Sequence, residues 1–363
     1  WAAAVAVVSL VGSLLQGHSS FHPKACEAFE PYMNQYLVGQ EPSLRVLTDA
    51  VCDFVPLHTK KQMNHLPNNN KKPLVVSLHG PPGVGKTYFH QLAARVLYNG
   101  NESVATLCPG RHCSGYKVLF GMDYTVKDRE EQHAMLQTAL LEHVSMYPQS
   151  FIIVEEYDKL DCHMRGFFRQ ILQGGTVGNQ SLSESIIVLE SNLGYSVLHN
   201  MLEKAGSRHD INMDDAQRAL KDMVFTMWQN QKCEEFSDSQ KLIRSIDFFL
   251  PFYPLEKQHI EALFRMKLDD FSKRAGKNVT YGKEVIDYLV DKVEFDGKYP
   301  IEGGKEVNTV TTGYVSRPFR QWQKQLAAND NNINNSVEAA NSNKGGKTQY
   351  SWVVHNNALE ITS

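Results

Sequence analysis

Gly80-Pro81-Pro82-Gly83-Val84-Gly85-Lys86-Thr87 fits the spacing G-x-x-x-x-G-K-[ST], and its flanks carry the elements that this spacing requires. Before it, Leu74-Val75-Val76-Ser77-Leu78 reads as a buried strand. After it, Tyr88, Phe89, Leu92, Ala93, Val96 and Leu97 recur with helical period. A strand, a glycine-rich turn and a helix in that order bring backbone N–H groups against an anion at a helix N-terminus. Lys86 adds a mobile cation and Thr87 a hydroxyl suited to a magnesium ion. Together these residues imply a phosphate-cradling loop whose ligand is a nucleoside triphosphate.

Working outward, short apolar runs at Val104–Leu107, Val118–Phe120, Phe151–Val154 and Ile186–Leu189 alternate with helical patterns. This is the signature of a largely parallel sheet covered on both faces. Leu136, Leu140, Leu141 and Val144 mark one covering helix; Met164, Phe167, Phe168, Ile171 and Leu172 mark another. The expected fold class is α/β, a doubly wound parallel sheet followed by a smaller helical domain. The boundary falls near Ile246–Pro254, where two prolines stop the last strand and the pattern changes. Residues 26–250 then form the nucleotide-binding domain and 251–325 a small domain with no strong strands. From Ala327 to Lys347, Asn, Ala, Ser and Gly dominate, so 326–363 is expected to be a disordered tail, although Tyr350–Thr362 could form a short strand.

Composition narrows the function. With 37 basic and 40 acidic residues among 363, the formal net charge is −3, which offers no bulk attraction to nucleic acid. No charged residue precedes Lys24, and Trp1–Leu15 is almost wholly Ala, Val and Leu. Residues 1–25 therefore read as a signal peptide or membrane anchor, with a buried N-terminal helix as the alternative. Six cysteines show no paired C-x-x-C spacing and are too few to scaffold a fold of this length. Cys108 and Cys113 could close a small disulfide loop or remain two buried thiols. Glycosylation sequons begin at Asn101, Asn179, Asn278 and Asn334.

Hydrolysis needs an acid that organises magnesium and a group that handles the attacking water. The run Phe151–Val154 delivers Glu155 and Glu156 to the C-terminal end of a buried strand. Glu155 is the candidate magnesium residue, acting partly through water, and Glu156 the candidate general base. A second run, Ile186–Leu189, ends at Glu190-Ser191-Asn192 and places the Asn192 amide where it can touch the γ-phosphate or the water. By itself, an Asn after a strand is an ordinary turn residue.

Taken in order, Leu37-Val38-Gly39-Gln40, the glycine-rich loop, Val154–Leu160, Leu189–Asn192, Ile246–Glu256 and Gly303-Gly304-Lys305 resemble the AAA+ ATPases, and within them most closely the torsins, endoplasmic-reticulum relatives of Clp-type unfoldases. The resemblance covers roughly residues 30 to 310. It implies that Val38 and Gly39 lie near adenine, that Asn192 is the sensor 1 residue and that Lys305 is the sensor 2 residue. It also implies ATP and Mg2+ as ligands, assembly with identical subunits, and a membrane-bound luminal activator that supplies an arginine finger. Arg244 is out of register with the Clp finger and reads as a surface arginine. Three residues depart from torsin patterns: Thr87 stands for Asn, Glu155 for Asp and Gly304 for Cys. No Gly-aromatic-apolar-Gly pore loop occurs between Phe120 and Val126. The expectation is a torsin-like ATPase that remodels protein or membrane-associated assemblies in the endoplasmic reticulum and nuclear envelope lumen. The alternatives are a Clp-type unfoldase and a nucleotide-dependent switch with little hydrolysis.

Overall fold

The computed structural model describes residues 20–55, 72–100, 108, 110, 113–124, 128–232, 235–336 and 349–362. The chain divides into two compact units: residues 1–81 with 85–254, and residues 82–84 with 255–363. The apolar run at 1–19 and the expected strand at Val104–Leu107 lie outside the described residues.

The first unit opens with helices α1 (Ala25–Tyr36) and α2 (Glu41–Phe54), followed by strand β1 (Leu74–His79) and helix α3 (Lys86–Asn99). Next come β2 (Tyr116–Phe120), α4 (Arg129–Met146), β3 (Phe151–Glu155), α5 (Cys162–Gly174) and a short antiparallel pair, β4 (Thr176–Val177) with β5 (Gln180–Ser181). Strand β6 (Ile186–Ser191), helices α6 (Tyr195–Ala205), α7 (Met213–Asn230) and α8 (Phe236–Arg244), and strand β7 (Phe248–Pro251) complete it. Five strands form one sheet in the order β2-β3-β6-β1-β7, and every pairing is parallel. Parallel strands buried on both faces should read as continuous apolar runs. Every residue of β1 and β6 is buried, as are the first four of β3. Helix starts are fixed locally: the Asp161 carboxylate accepts from Met164 N–H at the head of α5, and the Asn212 side chain accepts from Asp214 and Asp215 N–H at the head of α7.

The second unit carries α9 (Lys257–Ala275), β8 (Val279–Tyr281), α10 (Lys283–Val290), a hairpin of β9 (Phe295–Asp296) and β10 (Tyr299–Pro300), α11 (Lys305–Val310), a π-helical turn over Thr311–Val315 and α12 (Ser316–Ser336). It ends in a second hairpin of β11 (Tyr350–His355) and β12 (Ala358–Thr362). Two expectations are corrected here. The unit is not purely helical, because β11 pairs in parallel with β8 and builds a three-stranded sheet, β12-β11-β8. Nor is 326–363 a disordered tail throughout, since helix α12 runs to Ser336 and Trp352 and Leu359 are buried in the same core as Phe264, Phe271 and Trp322. Residues 337–348 lie outside the described residues.

Disulfides join Cys26 to Cys52, linking α1 with α2, and Cys108 to Cys113. The second was one of two readings of its loop. The first spans 26 residues with no local signal, so spacing gave no hint of it. Among the described residues, no helix is long and apolar enough to cross a membrane.

Candidate nucleotide-binding site

The phosphate loop links β1 to α3 and is held against the sheet by its backbone. A Cβ on Gly80 would lie 2.2 Å from the Phe252 carbonyl oxygen, so only glycine lets the chain pass that close to the end of β7. Gly85 has φ +99°, a left-handed geometry that aims the first N–H groups of α3 into the loop. Pro81, Pro82, Gly83 and Val84 complete the turn, with Val84 buried. Thr87, at the second position of α3, is exposed. A positive helix terminus, a buried cation and an accessible hydroxyl together suit a triphosphate with its magnesium.

Lys86 is the center of the site. Its side chain is buried, and Nζ donates to the Gly80 carbonyl at 2.8 Å, the Pro81 carbonyl at 3.0 Å and Asn192 Oδ1 at 2.9 Å. Asn192 Nδ2 in turn donates to Glu156 Oε1 at 3.4 Å. The three residues that sequence assigned to phosphate binding, sensing and proton transfer thus form one hydrogen-bonded line. They come from α3, the turn after β6 and the turn after β3. Strand β6 lies between β1 and β3, so the carboxylates are one strand removed from the loop rather than directly beside it. That spacing is what lets Asn192 bridge the gap.

Glu156 adopts φ +53° and ψ +40°, a left-handed conformation costing a non-glycine residue about 1–3 kcal/mol. The next residue holds it there. Tyr157 is buried, and its hydroxyl lies 2.9 Å from Ser77 Oγ, which lies 2.7 Å from His79 Nε2. This polar cluster ties the turn after β3 to β1, beneath the phosphate loop. Burial, reinforced by the Lys86 charge, pushes the His79 imidazole down to about 3, so His79 is neutral in the folded protein across the physiological range.

Val38 and Gly39 follow α1, and the residues flanking them pin this segment. Gln40 Oε1 accepts from Tyr253 N–H at 2.8 Å and Gln40 Nε2 donates to the Tyr253 carbonyl at 2.9 Å. The buried Arg208 guanidinium donates to the carbonyls of Gly39 and Pro254. A Cβ on Gly85 would meet Leu37 Cδ1 at 3.0 Å, so the segment borders the phosphate loop.

Glu155 turns to a different partner. Its Oε1 lies 3.0 Å from Nε2 of His90, a buried residue one turn beyond Lys86 on α3. Glu190 Oε2 lies 3.6 Å from the same nitrogen. Burial pushes the Glu190 carboxyl up to about 7; Lys86 partly opposes this, and the charges of Glu155, Glu156 and Asp158 reinforce it. Lys305 sits in the second unit, exposed at the first position of α11, and Arg244 is exposed at the end of α8.

Over 239 residues the chain is 24% identical to a torsin-like protein of Drosophila melanogaster, covering 63% of this chain and 65% of that protein. Over 254 residues it is 24% identical to a torsin-like protein of Caenorhabditis elegans, covering 67% of each. It is also 26% identical over 296 residues to the chloroplastic chaperone protein ClpB2 of Oryza sativa subsp. japonica, covering 79% of this chain but only 27% of the chaperone. The chain is a divergent torsin- and Clp-related AAA+ protein. It spans about two thirds of the torsin-like relatives' length and about a quarter of the chaperone's. No family model matches it.

Within this AAA+ chain, sequence reading missed His90, Glu190, Ser77, His79 and Arg208. His90 lies on the apolar face of a helix and Glu190 at the end of an apolar run, so neither stands out until α3 is packed onto β3 and β6. The pattern Lys86-x-x-x-His90, one helical turn, was the only local sign that His90 shares a face with the phosphate lysine.

Proposed function

We propose that this chain binds and hydrolyzes ATP with Mg2+ and uses the cycle to remodel protein or membrane-associated assemblies. The observation that carries the proposal is the continuous line Lys86–Asn192–Glu156. Lys86 neutralizes phosphate charge, Asn192 orients the attacking water, and Glu156 takes its proton. Bound Mg2+·ATP supplies the transferable phosphoryl group and the ion that balances its charge. Thr87 would hold that ion through its hydroxyl and Glu155 through water, while Val38 and Gly39 border the base. Lys305 keeps the sensor 2 role that the family resemblance gives it.

We further propose that the protein works in the endoplasmic reticulum and nuclear envelope lumen, as a homo-oligomer completed by a membrane-bound activator that brings an arginine. The disulfides support an oxidizing compartment. The exposed Arg244 at a helix end, with no place in the Lys86–Asn192–Glu156 line, supports an arginine supplied from outside. In cells, Asn278, exposed just before β8, should carry an N-glycan that an endoglycosidase removes with a shift in gel mobility. A chain without glycan on any of its four sequons would argue for a cytosolic protein.

One observation favors a second reading, a nucleotide switch with little turnover: Glu155 is engaged by His90. Steady-state phosphate release separates the two. Turnover that falls about 10²–10⁴-fold in Glu156→Gln while ATP still binds supports the ATPase. No turnover in the wild type, with or without a candidate luminal activator domain, supports the switch.

A further inference from the structure

Beside the nucleotide line lies a cluster of which the proposed phosphate chemistry uses only Glu155. His90 Nε2, a Glu155 oxygen and a Glu190 oxygen all lie within 4.8 Å of one another. They belong to helix α3 and to strands β3 and β6, which pair in parallel register, so the arrangement rests on regular elements rather than on a loop. Ligands at 2.0–2.2 Å from a tetrahedral ion stand about 3.4 Å apart, and the His90 separations of 3.0 Å and 3.6 Å bracket that value.

Two further features point to a ligand rather than a plain ion pair. The Glu190 side chain is only 9% exposed, and its Oε2, the oxygen aimed at His90, has no hydrogen-bond partner. A buried carboxylate oxygen left this way is costly unless something charged completes it. His90 Nδ1, on the far side of the ring, lies 2.6 Å from the Tyr116 hydroxyl, which fixes the ring with Nε2 toward both carboxylates. Histidines that bind metals are oriented by such a bond at the other nitrogen.

The geometry points to a buried site for one divalent transition-metal ion of the Zn2+ class, held by His90 Nε2, Glu155 and Glu190, that fills in the absence of nucleotide. One imidazole and two carboxylates suit Zn2+, and Mn2+ less well. Mg2+ favors an all-oxygen octahedron that keeps several waters, so it is disfavored here. Glu155, 14% exposed, leaves the open side from which water can take the fourth position. This site shares Glu155 with the magnesium proposed to accompany ATP but takes its other ligands from His90 and Glu190, which the Lys86–Asn192–Glu156 line does not use, so its failure would leave the ATP reading intact.

The test is calorimetry on the full chain, stripped with a chelator and titrated with Zn2+ alone, then with Mn2+ and with Mg2+. One equivalent of Zn2+ should bind, with Mn2+ weaker and Mg2+ absent. Glu190→Gln and His90→Gln should each lose the site, while Glu190→Gln still binds ATP. Tyr116→Phe keeps all three ligands and should weaken Zn2+ about 10–100-fold, which preserves the test if the other variants fold poorly. Co2+ loaded into the same stripped protein should show visible absorption of a four- or five-coordinate ion, absent in Glu190→Gln. Wild-type protein that takes up no Zn2+, or uptake that Glu190→Gln, His90→Gln and Tyr116→Phe all leave unchanged, would overturn the proposal.

Discussion

The first unit gathers buried polar groups at one end of its sheet, whereas the second unit, with His259 and Thr311 as its buried polar side chains among the described residues, builds an extended apolar core. At the C-terminal ends of β1, β3 and β6 lie Ser77, His79, Lys86, Tyr157 and Glu190, all buried. Around α9 and α10 the buried cluster is Ile260, Phe264, Leu268, Phe271, Val285, Ile286, Leu289, Trp322 and Trp352, without a charge. The difference separates two kinds of cost. An apolar core is stabilized by area removed from water, and its residues are interchangeable within limits of volume. A buried polar cluster must satisfy each group or leave it charged and unpaired, so it is maintained where the chemistry needs it.

The contrast can be broken from the apolar side first. Trp352→Ala should destabilize the second unit by about 3–5 kcal/mol, read from the shift of its denaturant midpoint, because the indole packs near Phe319 deep in the core. An unchanged midpoint would mean that the C-terminal hairpin is an appendage and the core ends at α12. On the polar side the effect is smaller and depends on pH. His79 is neutral when folded, with its imidazole held down to about 3 by burial and then by Lys86, but it titrates near 6.5 when unfolded. The depressed folded value means that the stability from His79 is complete above pH 6.5 and is lost as pH falls toward 3, at about 1.4 kcal/mol per pH unit for this one group. In His79→Gln that part of the acid slope should vanish, as measured by urea melts from pH 7 to pH 4. An identical slope in both proteins would show that His79 is not the buried titrating group.

Legibility followed the range of the interactions. The phosphate loop is contiguous, its glycines answer to local backbone geometry, and its flanks carry their own periodicity, so Gly80–Thr87, β1 and α3 could be read directly. Glu155, Glu156 and Asn192 were legible because each directly follows an apolar strand. His90 and Glu190 were not, because their meaning arises only when residues 65 and 100 positions apart are packed together. The tail was misread for a related reason. The Asn-rich average over 326–363 hides Trp352 and Leu359, and the partner of β11 is β8, some 70 residues earlier. Strand pairing over such a distance leaves no trace in local composition.

ATP binding by the purified chain, followed by calorimetry in wild type and Lys86→Ala, bears most directly on the central claim that the polar end of the first unit is a nucleotide site. The lysine ammonium makes three hydrogen bonds there and is the buried cation of the loop. Its loss should weaken ATP about 100-fold or more while circular dichroism shows the fold retained. Equal ATP affinity in the two proteins, or no measurable binding by the wild type, would contradict the account.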